Sequence, residues 1–512
     1  GSPGGRAGAA DAAGFLGLLQ DQQQIRNQEA NVAALRDSLA QLEAAFDFGR
    51  LPNRLQVDQA RQALYNSQSS LLSSNAAYQT SQEGFAISIG LPPTLPLKVQ
   101  DRLLERFTLI DPAITALQDE VGVVLNVLRS RTSPPDKPAL KLNLEELLQR
   151  RERIENRIVL AGLSLKQLRD YYPERVEQLR LIRSRVEIQQ DDVDPRIYDE
   201  DLLEMRIVRL EERFPKLKLQ FETLWKELQL VRDSLDEAAA DDARKQATVQ
   251  ATELSGLLLE LALTQAEARL ETVSLIPIEL RWDDALTLAS NNRLDWMNAR
   301  ARLVDSWRQI EFNANLLQSD LDLVVSGDIG TRGDNPVEFR AENSRLRFGL
   351  EFDSPVTRMA ERNQYRETLI NYQRARRDYM LFEDRLTQSV RNTLRIAELS
   401  QLNFEVRRAA VRVAVGQVEL ARVRLNEPPR PGAASQFSPT TARDLVSALT
   451  DLLNSQNDFL NTWVNYEVIR VLLDFELGTM RLDEQGLWLD PGPILTPKLN
   501  EPPLPEVPPA ES

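Results

Sequence analysis

The chain has 512 residues, of which 42% are hydrophobic, 27% charged and only 6% aromatic, with a mean hydropathy of −0.37; this is the profile of long amphipathic helices with thin cores. A net charge of −15 argues against nucleic acid as a partner. The absence of every cysteine and histidine removes thiol nucleophiles, imidazole bases, Ser-His-Asp arrangements and the common zinc sites. No enzyme activity, metal site or cofactor is therefore expected.

Residues 1–14 are Gly/Ala-rich and expected to be mobile. The opening Gly1-Ser2-Pro3-Gly4-Gly5 has no initiator Met, so a trimmed chain is expected, with any targeting segment upstream. No apolar run reaches about 18 residues, so no membrane-spanning helix is expected. From Phe15 to Phe48 the spacing of Leu16, Leu19, Ile25, Val32, Leu35, Leu39 and Leu42 predicts a helix. Gly49-Arg50-Leu51-Pro52-Asn53 breaks it, and a second helix runs from about Leu55 to Ile87, stopping at Gly90-Leu91-Pro92-Pro93. Residues 15–100 thus read as an antiparallel helical hairpin.

Residues 101–276 form a charged helical block, with breaks expected near Ser133-Pro134-Pro135, Tyr172-Pro173 and Val193-Asp194-Pro195. Gln189-Gln190-Asp191-Asp192-Val193-Asp194 has closely spaced acids but lacks the glycine and glutamate of a Ca²⁺ loop, and reads better as a solvated turn. From Pro277 a helix is predicted over Trp282 to about Leu317. The period then changes to two, with Leu321, Leu323 and Val325 alternating with Asp322, Val324 and Ser326. Leu346, Phe348, Leu350 and Phe352 alternate with Arg345, Arg347, Gly349, Glu351 and Asp353, which puts the four large apolar side chains on one face. The hairpin, about 320–353, is either an ordinary half-buried one or a membrane-spanning one with a lipid-facing side.

Residues 356–425 contain no proline and one glycine, Gly416, so a helix of roughly 105 Å is expected at 1.5 Å per residue. It ends at Glu427-Pro428-Pro429-Arg430-Pro431-Gly432, and another helix returns over Thr441 to Leu477. The tail 491–512, with eight prolines from Pro491 to Pro509, is expected to be disordered. Trp282, Trp296, Trp307, Trp463 and Trp488 read as packing anchors, and Arg374-Ala375-Arg376-Arg377 as a solvated face paired with Asp378, Glu383 and Asp384.

Residues 57–90 return at 445–478 without a gap, at an offset of 388. Ala60, Leu64, Asn66, Ser67, Gln68, Leu72, Tyr78 and Gly90 meet Ala448, Leu452, Asn454, Ser455, Gln456, Leu460, Tyr466 and Gly478. Two copies are too few for a solenoid and fit two similar halves of a ring-closing protein.

Together these pieces resemble the TolC-type outer-membrane efflux protein family. Phe46-Asp47-Phe48-Gly49 with Val57-Asp58-Gln59-Ala60-Arg61 looks like the first hairpin tip of that family, and Thr441 to Ala448 like the second. Ala285-Leu286 through Asn298-Ala299-Arg300, Phe348 to Pro355, and Leu477-Gly478-Thr479 with Leu487 look like its later landmarks. The resemblance covers about 15–100 and 280–490, with 277–490 read as a second repeat. It implies a mainly α fold: long antiparallel coiled-coil helices form a periplasmic tunnel, and a β-hairpin contributes to a trimeric outer-membrane barrel. The expected function is passive conduction for efflux or export. The expected setting is the outer membrane with a large periplasmic portion, and the expected partners are a homotrimer, a periplasmic adaptor, an inner-membrane transporter and outer-membrane lipid.

Three departures stand out. The first strand pair is missing and expected upstream; the 101–276 insert is larger than the usual connector; and the second tip is longer by 14 residues, within Asn426–Thr440. On the resemblance, Asp444 contributes to an acidic ring at the pore entrance, with Ser447 in place of a second acid; otherwise Asp444 solvates the start of its helix. Gly49, Arg50, Leu51, Pro52 and Asn53, with Pro428, Pro429, Arg430 and Pro431, are candidate adaptor-docking tips or plain turns. Leu346, Phe348, Leu350 and Phe352 are the candidate lipid-facing strand. The competing readings are a soluble coiled-coil scaffold and a carboxylate-dependent enzyme housed in the insert.

Overall fold

The computed structural model describes residues 14–47, 54–99, 103–129, 136–189, 194–235, 240–330, 345–353, 358–426 and 441–495. These residues are mainly helical. The helices are α1 (Phe15–Asp47), α2 (Leu55–Ser88), α3 (Pro112–Arg129), α4 (Lys137–Gln149), α5 (Arg151–Gln189), α6 (Glu200–Asp233) and α7 (Ala240–Thr272). There follow α8 (Trp282–Asn292), α9 (Leu294–Asn315), α10 (Met359–Asn426) and α11 (Thr441–Leu477). Four strands complete the order: β1 (Ile278–Glu279), β2 (Asp320–Asp328), β3 (Arg345–Asp353) and β4 (Ile494–Leu495). Among the described residues no helix is long and apolar enough to cross a membrane.

The chain divides into two compact units: residues 1–276 with 397–470, and residues 277–396 with 471–512. In the first unit, Val32, Leu35, Leu39 and Leu42 of α1 meet Val57, Ala60 and Leu64 of α2, and Leu259 and Leu263 of α7. Phe404, Val411, Val415 and Val418 of α10 and Leu445, Leu449, Phe459 and Trp463 of α11 close the same core. Helix α1 is consequently buried almost all round along Asn31–Leu42, where the sequence spacing predicts only one buried stripe.

The 101–276 insert is a helical layer with its own core. Ile114, Val121 and Leu125 of α3, Leu140 and Leu144 of α4, Phe221 and Trp225 of α6, and Leu254 and Leu258 of α7 form it, together with Ala40 of α1. Asp136 caps α4 by accepting from the Ala139 amide at 3.3 Å, and Asp199 caps α6 by accepting from the Asp201 amide at 2.9 Å; each satisfies a donor that the helix start leaves unpaired. The break expected at Tyr172-Pro173 does not occur: α5 runs through Pro173. Burial of Leu168, Val176 and Leu179 along the same helix outweighs the loss of one backbone hydrogen bond, a cost of about 3 kcal/mol.

In the second unit, the single helix predicted over Trp282–Leu317 is two helices, because Arg293 is extended between α8 and α9. Its guanidinium grips Asp295 at 2.9 and 2.7 Å and donates to the Glu476 carbonyl at 3.1 Å, fixing the turn. Strands β2 and β3 pair antiparallel, with Leu321, Leu323 and Val325 opposite Phe352, Leu350 and Phe348. Within the stretch from 491 expected to lack order, Ile494 and Leu495 pair in parallel with Ile278 and Glu279. The rest of that tail, from 496, lies outside the described residues.

The repeat is visible in the helix ends. Gly90 after α2 and Gly478 after α11 both have positive φ, 80° and 71°. Each starts the same cap: the Leu91 amide donates to Ala86 O at 2.8 Å, and the Thr479 amide to Asp474 O at 3.1 Å. Only glycine adopts that backbone without steric cost.

Candidate functional site

The hairpin separates its chemistry by face. Directly opposed residues of an antiparallel ladder share a side of the sheet. Leu321, Leu323 and Val325 therefore lie with Leu346, Phe348, Leu350 and Phe352. The last four are 65%, 68%, 73% and 63% exposed, so the apolar face has no cover among the described residues. The other face carries Asp322 opposite Glu351, Val324 opposite Gly349, Ser326 opposite Arg347 and Asp328 opposite Arg345. The base of the hairpin is closed by buried Arg358, whose guanidinium donates to the Leu316 carbonyl at 2.7 Å and also to that of Gln318. Asn313 donates to Thr368 Oγ1 at 3.0 Å and ties α9 to α10 next to it.

Asp444 lies exposed in the first turn of α11, between buried Ala442 and Leu445. Gly49, Arg50, Leu51, Pro52 and Asn53, and Pro428, Pro429, Arg430 and Pro431, lie outside the described residues. What flanks the first tip is a set of ion pairs. Glu43 of α1 accepts from Arg61 of α2 at 2.7 Å and from Arg129 of α3 at 2.8 Å, and Arg129 also reaches Asp47 at 3.0 Å. The insert thus extends to the end of α1 that leads into the tip. Of the tryptophans, Trp463 donates to Ser274 O at 3.3 Å, Trp296 to Tyr379 Oη at 3.2 Å and Trp488 to Asp474 at 2.8 Å, while Arg391 stacks on Trp282. Trp307 is exposed. So are Arg374, Arg376 and Arg377, and Asp194, the last of the closely spaced acids, accepts from the Arg196 amide at 3.0 Å.

A buried ionic cluster escapes sequence reasoning. Arg175 of α5 donates to Glu405 of α10 through both terminal nitrogens, one at 3.0 Å. Arg412 of α10 donates to Glu271 of α7 at 2.6 Å, and Arg408 donates to the carbonyls of Leu270 and Val273 at 2.5 and 2.6 Å. Burial alone would raise the Glu271 carboxyl, but Arg412, Arg408 and Arg175 outweigh it and lower it to about 2. Burial also opposes ionisation of Glu405, and Arg175 and Arg408 again win, lowering it. Arg408 itself is lowered to about 10 by burial and by Arg175 beside it. One signal betrays the cluster: Arg408 falls four residues after Phe404 and three before Val411, inside the apolar stripe that α10 buries. It stacks on Phe404 and Phe459 at 5.0 and 5.6 Å. The arrangement straps residues 101–276 to α10.

No family model and no curated protein matches the chain. Solved structures do. The outer membrane protein VceC of Vibrio cholerae is 17% identical, with 72% of this chain and 76% of that one covered and a TM-score of 0.31. The Campylobacter jejuni CmeC outer membrane channel is 12% identical, with 88% and 86% covered and a TM-score of 0.30. CusC, solved in a study of transmembrane channel formation, is 12% identical, with 74% and 75% covered and a TM-score of 0.31. The chain is similar to solved outer-membrane and channel-forming proteins.

Proposed function

We propose that this chain is a subunit of a trimeric outer-membrane channel for efflux or export. It conducts substrates passively from an inner-membrane transporter and periplasmic adaptor to the exterior. The observation that carries this reading is the hairpin: nine residues in each strand, one face wholly apolar and exposed, the other carrying Asp322, Glu351, Arg347, Asp328 and Arg345 around Val324 and Gly349. Strands of about 9–11 residues with strict alternation fit a bilayer-spanning barrel wall, which needs lipid on one side and water on the other. A soluble hairpin has no use for such a face left uncovered.

On this reading the helices 15–100 and 356–477 supply the tunnel wall, the hairpin of the second repeat supplies its share of the barrel, and most of each protomer lies in the periplasm. The tips at 49–53 and 428–431 dock the adaptor, with Arg129 of the insert bordering the first. Asp444, exposed at the start of α11, repeats three times around the axis and favours cations at the entrance. The testing experiment is single-channel conductance in a planar bilayer, for the protein and for Asp444→Ala. Cation-selective conductance that loses selectivity in Asp444→Ala is expected. Conductance indifferent to Asp444 would discard the acidic ring, and folded protein without conductance would favour the coiled-coil scaffold.

A further inference from the structure

A cavity of about 200 Å³ lies among α5, α6, α7 and α10 of the first unit. Leu168, Leu203 and Ile207 give it an apolar part of the lining. The charged lining holds arginines in surplus, four against three glutamates, in a chain whose net charge is −15. Two of its carboxylates are already engaged: Glu271 with Arg412 at 2.6 Å, and Glu419 with Arg213. Arg206 and Arg209 make no hydrogen bond or ion pair among the described residues, and neither does Glu267. Arg206 is half-buried, and that burial together with repulsion from Arg412 lowers its pKa. Glu271 and Glu267 attract Arg206 without a direct hydrogen bond and only partly offset this; a guanidinium with no hydrogen-bonded anion in a partly desolvated site is stabilised when one joins it.

We propose that this cavity binds a small organic monocarboxylate with an aliphatic body. The carboxylate sits between Arg206 and Arg412, and the body lies on Leu203 and Ile207. Charge-assisted hydrogen bonds from guanidinium to carboxylate supply orientation, and the apolar wall supplies the hydrophobic contribution. Multiply charged anions are disfavoured because Glu267, Glu271 and Glu419 line the same space. This inference is independent of the channel reading.

The test is titration calorimetry on the full chain with hexanoate, and with acetate, hexanol and inorganic phosphate for comparison. Saturable hexanoate binding is expected, with acetate and hexanol each at least about ten-fold weaker. Arg206→Gln should weaken hexanoate about ten-fold or more, the loss of one charge-assisted bond. At pH 8, where Glu267 is ionised, Glu267→Gln removes a negative charge from the lining and should tighten hexanoate a few-fold. No saturable hexanoate binding, binding indifferent to Arg206→Gln, or phosphate binding as tight as hexanoate would overturn the proposal. Should Arg206→Gln fail to fold, Glu267→Gln decides alone, and unchanged or weaker binding there overturns it.

Discussion

Arg175 and Glu405 stand 230 positions apart in sequence and share a two-point hydrogen bond that is buried on both sides. One lies on α5, the other on the long helix α10. Around them Glu271, Arg408 and Arg412 complete a cluster that joins α5, α7 and α10. Residues 101–276 are therefore anchored to α10 by charge as well as by apolar contact.

Removing one member should expose how tightly balanced that cluster is. Glu405→Ala takes away the two-point partner of Arg175, leaving it only Glu271 at 3.6 Å, and leaves Arg408 with less compensation; breaking a buried pair in this way costs up to about 3–5 kcal/mol. Urea unfolding should show that loss. The double variant Arg175→Met with Glu405→Met, which strands no charge between them, should lose markedly less than Glu405→Ala.

Two neighbouring glutamates should give stability opposite pH slopes. Glu271 is held at about 2, below its ordinary 4.5. Its contribution is complete above about 4.5 and is lost as pH falls through 2, a span worth roughly 2–3 kcal/mol. Glu267 is raised to about 7, first by burial and then by Glu419. The folded state there holds a proton that the unfolded state releases, so stability falls as pH rises from about 4.5 through 7. Glu267→Gln should stabilise the protein by roughly 1–3 kcal/mol at pH 8 and leave it unchanged at pH 4. Denaturation midpoints at the two values check it.

The two repeat-related glycines should respond unequally. Both have positive φ, so alanine at either costs about 1–2 kcal/mol from backbone strain. A Cβ at Gly90 meets nothing within 4 Å, whereas at Gly478 it meets the Arg293 backbone nitrogen and the Asn292 carbonyl carbon at 3.0 Å. Gly478→Ala should therefore be the more destabilising of the two by about 1 kcal/mol or more, from overpacking against backbone. Equal thermal shifts would contradict the contact.

The helix punctuation was legible in part: Gly90, Gly478 and the switch of period at Leu321 mark element ends that the structure keeps, whereas Pro173 lies inside α5. The equivalence of the repeats was legible only in part. Ala60, Leu64 and their partners Ala448 and Leu452 are all buried, but Leu72 is 72% exposed where its partner Leu460 is 1% exposed. Sequence periodicity reports which residues can be buried, whereas burial itself depends on which segment arrives from far along the chain. The same reason hid Arg175, Glu271 and Glu405. A charged residue at helical spacing looks solvated until a distant helix covers it, and only Arg408, set within an apolar stripe, carried a local signal. The tips 49–53 and 428–431, legible as turns, lie outside the described residues.

The central claim is that Leu346, Phe348, Leu350 and Phe352 face lipid. Since the chain has no cysteine, single variants Phe348→Cys and Arg347→Cys can each carry one polarity-sensitive fluorophore in protein reconstituted into phosphatidylcholine vesicles. The account expects a blue-shifted emission quenched by nitroxide-labelled lipid at 348, and a water-like emission quenched by iodide at 347. Water-like emission at both positions, with no quenching from lipid, would contradict it.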